Sequence, residues 1–351
     1  MGAQPGLGRP GAGLPPHHFP FAMILDGRSP DAIAAAVAAL RAGELVGLPT
    51  ETVYGLASDA ASDAAVAKIF AAKGRPSNHP LIVHVADAAG VAHFAASVPD
   101  FAQQLIHAFW PGALTLILPR RPGVGGAAAG GQDSIGLRCP SHPVAQSLLR
   151  ACAAQGLHGL AAPSANQFGR VSPTTAAHVQ SEFGDSLLVL DGGACDVGIE
   201  STIIDCTRGV PVLLRPGLIS RAQVEAACGQ PLRSKEELAA PDPRASGTLE
   251  AHYAPAAKVR LMDARALQTA LDLLGADAAH IAIYARAILK TPAAGVIRRR
   301  MPDDAAATAR QLFAVLREFD TQGARLIWIE TPPDTPEWEG VHDRLRRASA
   351  A

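Results

Sequence analysis

The sequence predicts an α/β protein in two parts: an N-terminal mixed sheet with flanking helices, then a linker and a smaller C-terminal Rossmann-like α/β unit. Three observations predict it. Short apolar runs of strand length alternate with alanine-rich helical segments along the chain. A polar, proline-bearing stretch, PLRSKEELAAPDPRAS, breaks that rhythm over 231–246 and reads as a linker. Beyond it KVRLM, HIAIYA, GVIRRRM and RLIWIE alternate with helical segments, the pattern of a largely parallel sheet. The expected boundaries are a flexible tail over 1–20, a first domain over 21–230, a linker over 231–257 and a second domain over 258–351.

The elements follow from local chemistry. The opening segment, MGAQPGLGRPGAGLPPHHFP, is rich in Gly and Pro and lacks the continuous apolar core of a secretory signal, so it reads as a tail. Asp31–Ala42 is expected to be helical, with Ser29 as N-cap, Pro30 at the first position and Gly43 as the stop. ELVGLPT is a short strand ending at Pro49. Ala61–Ala72 reads as a helix capped by Ser62, with Val66, Ile69 and Phe70 on one face. Leu81–Val85 is a strand, Pro99–Phe109 a helix and Leu114–Leu118 a buried strand, whereas the glycines of RRPGVGGAAAGGQDS predict a loop. Strands are then expected at Ile135–Arg138, Leu187–Asp191, Thr202–Asp205 and Val212–Arg215, and a helix at Asp303–Phe319.

Composition narrows the class. With 351 residues, 48% of them hydrophobic and 18% charged, the chain has ample material for packed cores. A formal net charge of −1 offers no global surface for a polyanion. No apolar run approaches the ~18 residues of a membrane span. Five cysteines without CxxC pairing suit a reducing cytoplasm and supply no zinc site, so a soluble cytoplasmic protein is expected.

Polar clusters stand at strand ends or in the turns after them, where open α/β sheets bind ligands. PTETVYGL offers hydroxyls, the Glu51 carboxylate and Gly55, but on its own it reads first as a strand-to-helix turn with capping threonines. In KGRPSNHPLIVHV, Lys73 and Arg75 follow a helix, where dipole compensation is a sufficient role, but Pro76 and Pro80 stiffen the loop enough to hold a guanidinium for phosphate. His84 interrupts the apolar strand and reads first as a satisfied core histidine. Arg138 in SIGLRCPSHP must find an anion or carbonyls, because burying it unpaired is costly. APSANQFGRVSPT is a hydroxyl-rich loop, and IESTIID with LLRPG brings Ser201, Thr202 and Arg215 near two strand ends. The chain has no GxxxxGKS, no GxGxxG after a strand, no GxSxG and no His-rich metal motif. Fixed arginines and hydroxyls without an obvious nucleophile suit catalysis by proximity and charge neutralisation.

PTETVYGL, KGRPSNHPLIVHV, FWPGALTLIL, IGLRCPSHP, APSAN with VSPT, and IESTIID with LLRPG, in that order over Ile24–Ile219, resemble the YrdC-like domain of threonylcarbamoyl-AMP synthases. SGTLEAHYAP over 246–255 resembles the linker of the longer, two-domain members. The resemblance implies an enzyme that joins L-threonine, bicarbonate and ATP into L-threonylcarbamoyladenylate and pyrophosphate, for threonylcarbamoyladenosine modification of tRNA. It implies magnesium carried with ATP and no dedicated metal-ligand motif, and a product handed to a tRNA-modifying transferase complex. By motif position, Thr52, His84, Arg138, the Ala162 backbone and Ser201 are expected on the threonine side, with Arg138 on the threonine carboxylate. Arg75, His79, Ser134, Ser164, Ser172 and Arg215 are expected on the ATP side, with Lys73 close to the phosphates; Lys73, Arg75 and Arg138 carry the catalytic expectation. His79 stands where asparagine or another polar residue is usual, and the Gly123–Gly131 insertion precedes Ser134. Tyr253 and its neighbours are expected to fold over the site as a lid, against the plainer reading of an interdomain linker. Two other readings stay open. One is an RNA-binding module using Arg298–Arg300, against which stand the balanced charge and few aromatics. The other is a carbamoyltransferase maturation factor, which lacks support without zinc-finger CxxC repeats.

Overall fold

The computed structural model describes residues 24–237, 244–246 and 252–351. The expected tail over 1–20 and the middle of SGTLEAHYAP, 247–251, lie outside the described residues.

The chain begins with β1 (Ile24–Asp26), α1 (Pro30–Arg41), β2 (Val46–Leu48), β3 (Gly55–Asp59), α2 (Asp63–Lys73) and β4 (Ile82–His84). It continues through α3 (Ala88–Phe94), α4 (Asp100–Phe109), β5 (Leu114–Pro119), β6 (Ser134–Arg138), α5 (Pro143–Ala154) and β7 (Leu160–Ala161). Next come α6 (Ala176–Phe183), β8 (Leu188–Asp191), β9 (Thr202–Asp205), β10 (Val212–Arg215), α7 (Arg221–Cys228) and β11 (Arg233–Ser234). The second unit holds β12 (Lys258–Met262), α8 (Ala264–Leu274), β13 (Ile281–Ala285), β14 (Ile297–Arg300), α9 (Ala305–Thr321), β15 (Leu326–Glu330) and α10 (Glu339–Ser349).

Helix ends behave as their residues dictate. The Ser29 hydroxyl accepts from the Ala32 amide with Pro30 just inside α1, and Ser62 accepts from the Ala65 amide at the start of α2. Among the described residues the larger sheet has eleven strands in the order β1-β8-β2-β3-β7-β4-β6-β5-β9-β10-β11. It is mixed: β4 and β6 are parallel, whereas β5 and β6 are antiparallel. The smaller sheet, β12-β15-β13-β14, is parallel throughout, as the strand–helix alternation predicts. The α/β expectation for both units is borne out. The larger sheet ends at Ser234 and the smaller begins at Lys258.

Three features depart from the sequence-based expectation. PTETVYGL is the turn of a hairpin whose second arm, β3, pairs antiparallel with β2. β7 wedges a two-residue strand between β3 and β4. The glycine-rich loop is packed rather than loose: Ala128 and Ala129 are fully buried, and the Ala128 carbonyl accepts from the Leu81 amide.

Strand alternation sets the two faces of the larger sheet. On β4, Val83 enters the main core, whereas Ile82 on the opposite face joins Ile117, Ile203, Val212 and Leu214. His84 is two residues on from Ile82 and shares its face. The two units meet through one hydrophobic cluster in which Val53, Val171 and Ile199 pack with Tyr253, Phe313 and Leu345. Gly198 makes that approach possible. Its φ is +80°, and a Cβ there would lie 2.5 Å from the Ala309 carbonyl oxygen of α9.

Candidate active site

A cavity opens where this sheet face meets the segment that joins the two units. Thr52, Arg75, His84 and Arg138 line it together with Ala162 and Ser164. Ser201, Arg215 and Tyr253 close it from the other side, with Glu200, Ser246 and His252 beside them. Sequence reasoning puts the ligand groups at strand ends. The structure agrees for His84 and Arg138: each is the last residue of its strand, and the two are register partners on the parallel pair β4 and β6.

The turn between β2 and β3 arranges the first wall. Thr50 Oγ1 donates to the Val53 carbonyl at 2.6 Å and accepts from the Thr52 and Val53 amides, which closes the turn on itself. Thr52 Oγ1 is thereby presented to Arg138, whose Nη1 donates to it at 2.7 Å. Arg138 Nη2 donates to Glu51 at 2.6 Å and its Nε to the Gly112 carbonyl at 3.1 Å, while the second Glu51 oxygen accepts from the Ser141 amide. A buried guanidinium so fixed offers its remaining N–H groups in a defined direction.

Arg75 and Arg215 differ from Arg138. Arg75 donates from Nη2 to the Pro80 carbonyl at 2.9 Å, and its buried Nε has no partner. Arg215 donates to the Ser201 carbonyl, the Ser201 hydroxyl and the Ser246 carbonyl. Among the described residues neither forms an ion pair with a carboxylate, although both are at least nine-tenths buried. Burial, offset by Tyr253 and reinforced by Arg215, brings the Arg75 pKa down to about 10, so the group is still cationic at neutral pH. Two desolvated cations facing one cavity make a site for an anion.

His84 is the neutral element. Burial, then the Arg138 charge, holds its pKa at about 3, and its Nδ1 has no partner. His252 is alike: burial dominates, its pKa lies at about 3, and its Nδ1 is also without a partner.

Tyr253 covers the cavity. It has φ 60°, is fully buried, and packs its ring against Phe313 of α9 and the Arg344 guanidinium of α10. Its hydroxyl has no partner, and burial, then Glu200, pushes its pKa up to about 12. The strap is tied to both units. The Ala254 amide donates to the Gly169 carbonyl and the His252 amide to the Arg347 carbonyl. On the other side of the gap, Gln132 and Arg244 exchange amide bonds beside the glycine-rich loop.

Lys73, His79, Ser134 and Ser172 stand beside the cavity rather than in its lining. Lys73 points its ammonium at the carbonyls of Ser164 and Asn166, and burial, then Arg75, lowers its pKa well below the usual value. It therefore braces the Ser164 loop. The Ser172 hydroxyl donates to Glu200. Ser134 lies on the same sheet face as Arg138, in an adjoining groove shared with Gly136 and Ser246. His79 sits outside with its ring 5.5 Å from Phe168, the ring that also lies 5.7 Å from the Arg75 guanidinium. The Ala162 amide already donates to the Ile82 carbonyl. Sequence reasoning did not single out Glu200, His252 or Arg344; no local pattern around Arg344 marks it, because Glu200, the partner that lines the cavity, lies 144 positions away.

Fold and site together define a class: an α/β protein with a buried, arginine-lined cavity under a strap. A family model described as "Telomere recombination", covering the Sua5, YciO and YrdC proteins, matches residues 38–217. A second, described as "Threonylcarbamoyl-AMP synthase, C-terminal domain", matches residues 219–350. The threonylcarbamoyl-AMP synthase of Bacillus subtilis is 37% identical over 90% of this chain and 92% of its own length. That of Pyrococcus abyssi is 34% identical, over 90% of this chain and 94% of its own length. A crystal structure of P. abyssi Sua5 complexed with L-threonine superposes with a TM-score of 0.82 at 34% identity, covering 90% of this chain and 94% of that one. The chain belongs to the threonylcarbamoyl-AMP synthase family, a family of nucleotidyltransferase-type enzymes.

Proposed function

We propose that the protein joins L-threonine, bicarbonate and ATP into L-threonylcarbamoyladenylate and pyrophosphate. The observation that carries the reading is the division of one buried cavity. Arg138 bonds Thr52 and is the register partner of His84, whereas Arg75 and Arg215, each without a carboxylate partner among the described residues, feel each other's charge.

In this reading the threonine carboxylate meets the free N–H groups of Arg138 and the Thr52 hydroxyl. His84, neutral, supplies a hydrogen-bonding nitrogen without adding charge. Threonine's amine and bicarbonate yield a carbamate and water. A carbamate oxygen then bonds to the ATP α-phosphorus as the bond to the β-bridging oxygen breaks, and pyrophosphate leaves. Arg75 and Arg215 screen the repulsion between carbamate and phosphates, and the fixed geometry supplies proximity. Tyr253 and the strap exclude water from the labile product.

Among the described residues no group of three or more His, Cys, Asp or Glu could hold a metal ion. The carboxylates nearest the cavity, Glu51 and Glu200, are engaged by Arg138 and Arg344. That donor set does not fit a resident cation, so magnesium belongs to the ATP substrate and no step is assigned to it. Among the described residues no helix is long and apolar enough to cross a membrane, and a cytoplasmic setting, with the product passed to a tRNA-modifying transferase complex, completes the proposal. The RNA-binding alternative has little support, since Arg299 and Arg300 are paired with Glu318 and Asp303.

ATP–pyrophosphate exchange tests the reading. Exchange that requires threonine and bicarbonate together is expected; exchange indifferent to threonine refutes it.

A further inference from the structure

Arg344 belongs to α10 of the second unit, yet it is fully buried beside the cavity of the first. Its Nε donates to Glu200 at 2.9 Å, its Nη2 to the Glu200 carbonyl at 3.0 Å and its Nη1 to the Pro216 carbonyl at 2.7 Å. Glu200 itself lines the cavity, and its other oxygen accepts from Ser172. The next residue, Ser201, holds Arg215 through both its hydroxyl and its carbonyl. Glu200 thus feels the charge of two buried guanidiniums, and the one it pairs with comes from the other domain, where Arg344 also donates to the buried Asp343 at 2.9 Å. A buried carboxylate stripped of that partner seeks the nearest remaining cation. Arg215 is the other guanidinium whose charge acts on Glu200, and among the described residues it pairs with no carboxylate.

We infer that Arg344 is a positioning residue: by holding Glu200, the second domain keeps Arg215 free to bind the anionic substrate. Burial opposes the Glu200 charge, but Arg344 and then Arg215 outweigh it and keep the carboxylate ionised, consistent with this competition. Arg344 also backs the Tyr253 ring, so the same side chain of α10 touches both Glu200 and the residue that covers the cavity. The inference deepens the proposed function and rests on its assignment of Arg215 to the ATP phosphates.

Four full-length proteins test it: wild type, Arg344→Met, Glu200→Gln and the double variant, with the KM for ATP and for threonine measured on each. Arg344→Met is expected to raise the ATP KM on the order of tenfold, with the threonine KM moving by less than about threefold. The double variant is expected to recover the ATP KM to about that of Glu200→Gln alone, because no carboxylate remains to neutralise Arg215. A double variant no better than Arg344→Met, or equal changes in both KM values, overturns the inference, since a merely structural Arg344 gives those results. Arg344→Lys guards against misfolding of the methionine variant: it keeps a cation beside Glu200 and is expected to retain ATP affinity. A folded Arg344→Lys protein with a tenfold loss also overturns the inference. Titration of the same proteins with inorganic tripolyphosphate reports the charge on Arg215 without the nucleoside. Wild type showing no preference for ATP over tripolyphosphate refutes the nucleotide reading, whereas absent rescue in either titration refutes the role of Arg344.

Discussion

Arg138 and Glu51 form a buried ion pair at 2.6 Å, so the guanidinium assigned to the substrate carboxylate already holds a carboxylate of its own. This separates two duties that sequence alone merges. Arg138 is a neutralised, oriented donor, whereas among the described residues Arg75 and Arg215 form no ion pair with a carboxylate.

Replacing Arg138 by Ala is expected to have two effects. Threonine binding weakens by on the order of tenfold or more. Stability falls by about 3 kcal/mol, because Glu51 is left charged and unpaired in the interior. Adding Glu51→Gln restores most of the stability and none of the threonine binding. Denaturant titration and threonine calorimetry on both variants check this.

Arg75→Ala is expected to weaken ATP on the order of tenfold with little change for threonine, while His84→Ala chiefly weakens threonine. Arg75 has no ion-pair partner among the described residues, so its loss leaves no orphaned carboxylate and the melting temperature changes little. Both variants raising the KM of the same substrate contradicts this division of KGRPSNHPLIVHV.

Acid sensitivity follows from His84 and His252. Each has a folded pKa of about 3 against an ordinary 6.5, so the unfolded chain binds more protons between those values. Stability is therefore full above about pH 6.5 and is lost as pH falls toward 3, by up to about 1.4 kcal/mol per pH unit for each group. His84→Gln is expected to flatten the slope of unfolding free energy against pH in that window. An unchanged slope in this variant and in His252→Gln shows that neither histidine is held neutral.

Tyr253→Phe separates covering from contact. Among the described residues the hydroxyl has no hydrogen-bond partner, so its removal is expected to leave the melting temperature unchanged while altering ligand affinity or product release. Tyr253→Ala removes a fully buried ring and is expected to cost about 3 kcal/mol. Thermal melts with and without ATP and threonine distinguish the two.

Most helices and longer strands were legible because their signals are local: Ser29 and Ser62 cap helices, and Thr202–Asp205 and Val212–Arg215 are uninterrupted strand runs. β7 was not, since two residues carry no periodicity and only the edges of β3 and β4 make them a strand. The ordered motifs also marked most of the cavity lining, because chemistry of that kind concentrates in short runs. The position of Lys73 was not legible. A lysine after a helix reads as free to reach phosphate, and only the fold brings the Ser164 and Asn166 carbonyls to its ammonium.

By itself, then, the sequence determined the α/β class, the order of the elements and which stretches carry polar chemistry, all of which depend on residues within a few positions of one another. The tertiary structure alone decided which guanidinium is neutralised and which stays charged. Arg138 meets Glu51 and Arg344 meets Glu200 across 87 and 144 positions, while no carboxylate reaches Arg75 or Arg215 among the described residues. Charge compensation in a dry interior depends on distances of a few ångströms: folding of the first unit brings Arg138 to Glu51, and only the packing of the two units brings Arg344 to Glu200.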